Sequence, residues 1–222
     1  MKKLLSVLAV AATIATSSFA LSVGVGGTAF LGKDIAESTA TTEIASEVKS
    51  VTLDTNLNYG FGLYGHVDLL GALGVQAEAN LTKGTTSISG LQEGTVSDFE
   101  LWTLDVPLML WLNFDVGPFS IGGGAGVNFS FTLDSGSVSE LYAQTKANYT
   151  DNNYRTGLAA GLSAKLFVSD NWGIVAKGLF IAELDPTTIP VNLQDYTSAE
   201  ELPTVTYTRR SLYGAVGLEY KF

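Results

Sequence analysis

The chain has 222 residues, of which 46% are hydrophobic and 15% charged, and its 22 acidic against 12 basic side chains give a formal net charge of −10. An acidic balance of this size argues against nucleic acid as a partner. The sequence contains no cysteine, so no disulfide can stabilise the fold, which must rest on burial and on strand pairing.

The first twenty residues have the three parts of a secretory signal peptide. Lys2 and Lys3 give a positive start, residues 4–14 form an apolar run, and Ser18-Phe19-Ala20 is a small-x-small cleavage site. The apolar run is too short to cross a bilayer as a helix. We therefore predict a signal peptide over residues 1–20 and one mature domain over residues 21–222, in which 22 acidic and 10 basic side chains give a net charge of −12.

Beyond residue 20 the hydrophobic pattern has a period of two, which is typical of strands with one apolar and one polar face. The alternation predicts eight strands, of which the seventh is the least regular. They are, in chain order, Leu21–Leu31, Leu53–Leu69, Leu73–Leu81, Trp102–Leu112, Phe119–Leu133, Thr156–Val168, Trp172–Leu184 and Thr206–Phe222.

The connections between these strands alternate between long and short. The long ones are Gly32–Thr52, Lys83–Asp98, Asp134–Arg155 and Asp185–Val205, and the short ones are Leu70–Ala72, Asn113–Pro118 and Ser169–Asn171. In an antiparallel meander, alternate connections lie at opposite ends, so the long ones share one end. Short periplasmic turns opposite long extracellular loops are the pattern of membrane barrels, and most segments reach the 9–11 residues that a crossing strand needs.

These observations predict an all-β fold, an eight-stranded antiparallel up-and-down transmembrane β-barrel. The barrel must be closed because an open sheet edge cannot be satisfied in lipid. Both chain ends then lie on the periplasmic side. The two longest segments, Leu53–Leu69 and Thr206–Phe222, are expected to extend beyond the membrane at the end of the long loops.

Two stretches carry a resemblance to a known family. The last strand alternates up to Phe222, and with the leader it resembles the small bacterial outer-membrane β-barrel proteins, whose final strand ending in Phe is read by the barrel-assembly machinery. Leu104–Leu112, with the sequence LDVPLMLWL, is similar to the acid-apolar-Pro-apolar run in the central strand of the outer membrane protein β-barrel domain family, and the glycine-rich run Gly122–Gly126 continues the likeness. The resemblance implies a place in the bacterial outer membrane, with outer-membrane lipid and the assembly machinery as partners.

Within the segments, the alternation predicts which side chains face the lumen. Pro107 is expected to mark a β-bulge, because a paired strand avoids proline, and the alternate glycines of the run fit a crowded inner face. A barrel of eight strands is only wide enough for its own side chains, and buried charges must pair. We expect a polar plug formed by Asn58, Gln76, Glu78, Asn80, Asp105, Asn128, Lys165, Lys177, Glu183, Arg209, Glu219 and Lys221.

Aromatic side chains are expected to form girdles at the two membrane surfaces. Phe119, Trp172, Tyr220 and Phe222 fall near the short turns, and Trp102, Phe129, Phe131 and Tyr154 nearer the long loops.

No catalytic, cofactor-binding or metal-binding residue can be assigned, and we predict that the chain is not an enzyme. Its single histidine, His66, is expected near the end with the short turns, where Asp68 follows two residues later on the same face. We interpret this pair as an interior polar contact. One histidine and no cysteine also give poor support for a transition-metal site.

The long connections are acidic, and loops on a rigid scaffold often carry binding residues. We predict a monomer with a structural or surface-interaction role through these four loops. Their charge is typical of a solvated surface that stays soluble, and the alternative is a site for a cationic or Ca²⁺-bridged extracellular ligand. A small diffusion channel for apolar or very small solutes is the alternative, and a soluble lipocalin-like ligand-binding barrel a further one. The loop acids are Asp34, Glu37, Glu43, Glu47, Glu93, Asp98, Asp134, Glu140, Asp151, Asp185, Asp195, Glu200 and Glu201.

Overall fold

The computed structural model describes residues 22–34, 39–44, 47–55, 57–69, 72–89, 96–134, 154–185, 187–190 and 204–222. The predicted signal peptide lies outside these residues and stays a prediction. Among the described residues, no helix is both long and apolar enough to cross a membrane.

All the regular structure described is antiparallel β-sheet. The strands are β1 (Ser22–Asp34), β2 (Thr39–Ile44), β3 (Glu47–Thr55), β4 (Leu57–Asp68), β5 (Leu73–Ser89), β6 (Val96–Val116), β7 (Phe119–Asp134), β8 (Tyr154–Phe167), β9 (Trp172–Glu183), β10 (Thr187–Pro190), β11 (Thr204–Tyr207) and β12 (Arg210–Lys221).

Eight of these strands close a ring in the order β1-β4-β5-β6-β7-β8-β9-β12, and β12 pairs back with β1. The predicted eight-stranded up-and-down barrel is confirmed. In a ring of this order β4 lies opposite β8, β5 opposite β9, and β6 opposite β12. The end with the connections β4–β5, β6–β7 and β8–β9 is called the turn end below, and the other the loop end.

The expectation that the long connections are plain loops is wrong for three of the four. The second, Lys83–Asp98, contains the end of β5 as far as Ser89 and the start of β6 from Val96. The first contains β2 and β3, and the fourth contains β10 and β11. β10 pairs with β11, β11 with β2, β2 with β3, and β3 with the far part of β5. These four strands and the far part of β5 form an extension of the sheet beyond the ring of eight strands. The predicted segments Leu53–Leu69 and Thr206–Phe222 each divide into two strands because their first residues pair within this extension.

The connections at the turn end are short, as predicted, but the one between β6 and β7 is shorter than the predicted Asn113–Pro118, because residues 113–116 still pair with β7. β6 and β7 are joined by Gly117 and Pro118, and Gly117 has a φ of +61°, a left-handed conformation that glycine adopts without a Cβ clash. A Cβ added there would meet nothing within 4 Å, so the backbone conformation alone favours glycine.

The bulge expected at Pro107 is not present. In the β5–β6 ladder, Ala77 pairs with Leu108 and Asn80 with Asp105, and the two pairings between them are missing while the register is unchanged. Proline has no N–H to donate, so the ladder loses bonds there without gaining a residue. A register shift occurs instead between Trp102 and Thr103, in the β6–β7 ladder.

The seventh barrel strand, β9, is also more regular than expected. Its side chains alternate strictly between exposed and buried from Trp172 to Phe180. The hydrophobic pattern is blurred because Val175, Leu179 and Ile181 point inward, while alanine and glycine at residues 176 and 178 point outward.

The outer face is apolar along the barrel, as predicted, apart from basic side chains at the loop end. Leu63 is 68% exposed and Val127 44%, whereas Gln76 and Asn128 are 2% and 0% exposed. The aromatic girdles are also confirmed at both ends. Ring pairs join Trp172 to Tyr220, Tyr220 to Phe222, Phe129 to Tyr154, and Phe131 to Tyr154.

Candidate functional site

The lumen contains the polar plug that the alternation predicted, and its charges pair across the barrel. At the turn end, the carboxylate of Glu219 on β12 lies 2.7 Å from the ammonium of Lys165 on β8. The same carboxylate accepts a 2.7 Å hydrogen bond from the Tyr64 hydroxyl on β4, the strand opposite β8. Glu219 therefore connects opposite walls.

The single histidine lies beside this cluster, where it was predicted. His66 is 4% exposed, and its ring nitrogens lie 3.6 Å from Asp68 and 3.8 Å from Glu219. Asp68 in turn accepts a 2.9 Å hydrogen bond from the amide of Asn113. The two carboxylates and the imidazole thus belong to the interior network, which agrees with our interpretation of the His66–Asp68 pair.

A second bridge crosses the barrel between β9 and β5. Lys177 lies 2.9 Å from Glu78, and both side chains are almost completely buried. Glu78 also accepts hydrogen bonds from Gln76 and Asn80. The ammonium of Lys177 lies 4.2 Å from the centroid of the Tyr64 ring, so this lysine has both an anionic and a cation–π partner.

A third bridge closes the loop end. Arg209, just before β12, binds Asp105 on the opposite strand β6 at 2.5 Å and Glu183 on β9 at 2.9 Å. Glu183 also lies 3.1 Å from Arg155. Ser130 adds a 2.6 Å hydrogen bond to Asp105. Lys221, by contrast, is only half-buried, and its ammonium lies over the Phe167 ring at the turn end.

An apolar cluster also fills part of the lumen, and sequence reasoning missed it. Its members are Phe30, Met109, Trp111, Ala159, Leu179, Ile181, Tyr213 and Ala215. A Cβ at Gly122 or Gly124 would overlap the Trp111 ring, which explains the alternate glycines of β7. Their alternation with the outward residues of the same strands is a signal that places them inside, but their hydrophobicity does not distinguish them from lipid-facing side chains.

Arg155 was also missed, because it was assigned to a long connection. It lies in β8 and is 6% exposed. Side chains an even number of residues apart on a strand face the same way. The even spacing between Arg155 and the inward Lys165 therefore already indicated that Arg155 faces the lumen.

Two of the predicted loop acids accept side-chain hydrogen bonds that the structure describes. Asp34 ends β1 and accepts a hydrogen bond from the hydroxyl of Ser211. Asp185 is fully exposed just after β9, and hydrogen bonds from the backbone and hydroxyl of Thr156 lower its pKa below the ordinary value of 3.8. Nowhere in the described part of the chain do three or more His, Cys, Asp or Glu residues form a group that could hold a metal ion.

Comparison with known proteins agrees with this architecture. Residues 4–222 match the family profile of the outer membrane protein beta-barrel domain. OprG, an outer membrane protein of Pseudomonas aeruginosa, is 14% identical with a TM-score of 0.72, over 92% of this chain and 97% of that chain. Such an identity shows the fold alone.

Two further solved structures have lower TM-scores. Ail, the attachment invasion locus protein of Yersinia pestis, is 15% identical with a TM-score of 0.45, over 92% of this chain and 100% of that chain. Outer membrane protein W of E. coli is 17% identical with a TM-score of 0.39, over 88% of this chain and 98% of that chain. No curated protein sequence matches the chain.

Proposed function

We propose that this chain, which belongs to the outer membrane protein β-barrel domain family and is an integral barrel of the bacterial outer membrane, has a closed lumen. We also propose that its loop end interacts with partners. The proposed role is structural or surface-interacting, and non-enzymatic. The soluble lipocalin-like alternative receives no support from the family match.

The observation that carries this proposal is the set of bridges between opposite walls. Lys177–Glu78 joins β9 to β5, and Arg209–Asp105 joins β12 to β6. Each bridge occupies the axis of a barrel that is only wide enough for its own side chains. A solute moving along the axis must break buried ion pairs, and removing one partner of such a pair costs about 3–5 kcal/mol.

The extension at the loop end supports a surface role. The β5–β6 ladder continues past the barrel as far as the pair Ser89 and Val96, and β3, β2, β11 and β10 add to its edge. Backbone pairing of this kind gives the long connections a rigid base, and binding residues are most effective when a scaffold positions them.

The chemistry of the long connections favours a cationic or Ca²⁺-bridged partner. Acidic residues occur in all four connections, among them Asp195, Glu200 and Glu201 in the fourth. A surface of one sign attracts a partner of the opposite sign and raises its association rate. Oxygen ligands of this type also suit Ca²⁺.

Conductance in planar bilayers tests the closed lumen. We expect no unitary steps from the native chain, and steps from the double variant Lys177→Ala, Arg209→Ala, in which two bridges are removed. Leu63→Ala on the lipid face is the matched control and should be silent. Steady unitary steps from the native chain contradict the closed lumen.

Binding to a cationic probe tests the loop role. With the chain in phosphatidylcholine nanodiscs, polylysine should bind in low salt, and the triple variant Asp195→Asn, Glu200→Gln, Glu201→Gln should bind about tenfold more weakly. Asp170→Asn, in a short turn, is the control. Equal binding by all forms, with or without Ca²⁺, contradicts an acidic loop site.

Three further expectations belong to the same proposal. The chain carries a signal peptide over residues 1–20, it is a monomer, and its last strand is read by the barrel-assembly machinery through Phe222. The outward position of Phe222, which is 72% exposed and next to the Tyr220 ring, supports the last of these.

A small diffusion channel for apolar solutes is the second candidate, and the interrupted ladder beside Pro107 favours it. Two missing pairings between β5 and β6 weaken the wall there. Uptake of a small apolar dye into vesicles that contain the barrel distinguishes the candidates. Uptake that Pro107→Ala abolishes supports passage through the wall, whereas uptake equal to that of protein-free vesicles excludes it.

A further inference from the structure

The outer face carries an apolar groove where β8, β9, β12 and β1 meet. Along one line across these strands, Leu162 pairs with Gly178, Gly178 with Gly214, and Gly214 with Leu31. A Cβ at Gly178 would meet nothing within 4 Å. The two glycines therefore leave a depression between two leucines.

The depression continues toward the turn end. Ala164 and Ala176 pair in the next outward line and extend its floor. The exposed side chains of Ile174 and Phe180 stand one outward position beyond it on β9, toward the turn end and the loop end respectively. The resulting groove, hereafter the outer groove, has a volume of about 740 Å³.

The groove lies in the half of the barrel nearer the loop end. Gly214 is four residues from Arg210 and eight from Phe222 along the same strand. With roughly 3.3 Å per residue and a tilt near 40°, each residue rises about 2.5 Å. Gly214 is then about 10 Å from the level of Arg210 and about 20 Å from that of Phe222.

Basic side chains stand just above the groove. Lys33 on β1 pairs with Leu212, and Arg210 is two residues farther along β12; both are exposed on the outer face. Among the described side chains, the outward basic ones are these two and Lys83, and all three lie at the loop end. Arginine and lysine on neighbouring strands suit a phosphate, because the guanidinium can bind two of its oxygens.

We propose that the outer groove binds an acyl chain of a phosphate-bearing lipid of the outer leaflet, with the phosphate held by Lys33 and Arg210. The charge complementarity selects this occupant. A lipid in the leaflet at the loop end places its chains at the depth of the groove and its phosphate near the two cations. The proposal concerns the outer wall, so it stands apart from the loop role proposed above.

A second copy of the chain fits this surface less well. Two barrels in one membrane share a common direction, so a two-fold axis through the groove must run along the membrane normal. Such an axis brings Lys33 and Arg210 of both copies to one height across the contact. Like charges in that position repel.

Lipid binding can be tested with spin-labelled lipids in phosphatidylcholine vesicles that contain the full chain. The probes are lipid A and phosphatidylcholine, each with a nitroxide on an acyl chain, and the readout is the motionally restricted fraction in electron paramagnetic resonance spectra. We expect about tenfold selectivity of the native chain for labelled lipid A over labelled phosphatidylcholine.

Two variants separate the groove from the charges. Gly178→Leu fills the groove, and it should fold because the site is open; it should lower the restricted fraction of lipid A at least threefold. The double variant Lys33→Gln, Arg210→Gln should abolish the selectivity. The controls are Gly65→Leu, an outward glycine whose added Cβ would make only one ordinary contact, at 3.8 Å from the Gly24 oxygen, and Lys83→Gln. Both should behave as the native chain does.

Three results overturn the proposal. The first is equal restriction of the two probes by the native chain, which indicates ordinary solvation by lipid. The second is selectivity that survives both variants. The third is cross-linking of native barrels into dimers that Gly178→Leu abolishes, which assigns the groove to a second copy.

Discussion

Removal of one member of the Lys177–Glu78 bridge should destabilise the barrel strongly. The two charges lie 2.9 Å apart with 1% and 0% of their side chains exposed. At an effective dielectric constant near 20, the attraction at this distance is roughly 6 kcal/mol before desolvation is counted. Lys177→Met keeps the side-chain volume but leaves Glu78 with amide donors only, so we expect a loss of about 3–5 kcal/mol.

A double-mutant cycle separates this coupling from packing. The double variant Glu78→Gln, Lys177→Met carries no buried charge at either position. Its loss of unfolding free energy should be smaller, by at least ~2 kcal/mol, than the summed losses of the two single variants. Unfolding by urea in phospholipid vesicles, followed by tryptophan fluorescence, gives the free energies. Lys83→Met, the same change on the outer face, should cost below ~1 kcal/mol. A cost of Lys177→Met no greater than that of this control, or single effects that simply add, would contradict a strong coupling between Lys177 and Glu78.

Three shorter predictions follow from the same structure. Leu63→Arg should lower the free energy of unfolding in vesicles by roughly 2–4 kcal/mol because residue 63 faces lipid, whereas Gln76→Arg should act through crowding of the lumen. A fluorescent label at residue 63, but not one at residue 76, should be quenched by lipid-phase quenchers. Deletion of Phe222 should lower outer-membrane levels and raise degradation of the unassembled chain in cell fractions; unchanged insertion contradicts the assembly role. The Thr156 amide signal in nuclear magnetic resonance spectra should titrate below pH 3.8, because its hydrogen bond depresses the pKa of Asp185. The hydrogen bond from Thr156 to the Asp185 carboxylate is fully present above the ordinary carboxyl pKa and is lost as the pH falls through the lowered pKa of Asp185. A titration midpoint at or above pH 3.8 would contradict this hydrogen bond.

The barrel and its facing could be predicted because lipid forces strict alternation on every crossing strand. The charged plug followed for a similar reason: charges on the inner face of a narrow barrel must find partners there. Lys177, Glu78 and Arg209 were assigned in this way, and the structure places them in cross-lumen pairs.

The apolar part of the lumen and the added strands could not be predicted from alternation, because a hydrophobic pattern shows a strand face only where the two faces differ in polarity. In β9 the inward face mixes the charged Lys177 with apolar side chains, so the inward Leu179 and Ile181 gave no contrast with the outer face. The strands β10 and β11 have four residues each, too few for periodicity to show, and their partners are distant in sequence. Pro107 was expected to add a residue to its ladder, whereas the structure accommodates it by leaving pairings unmade.

The proposed surface role requires that the long connections lie on the extracellular side of the membrane. Single cysteines give the most direct measurement, since the native chain contains none. Thr42→Cys and Ser198→Cys should react with a membrane-impermeant thiol reagent on intact cells. Ala72→Cys and Asp170→Cys, at the turn end, should react only after the outer membrane is permeabilised. Labelling of the turn-end pair on intact cells, with protection of the other two, would contradict the proposed orientation and the surface role that rests on it.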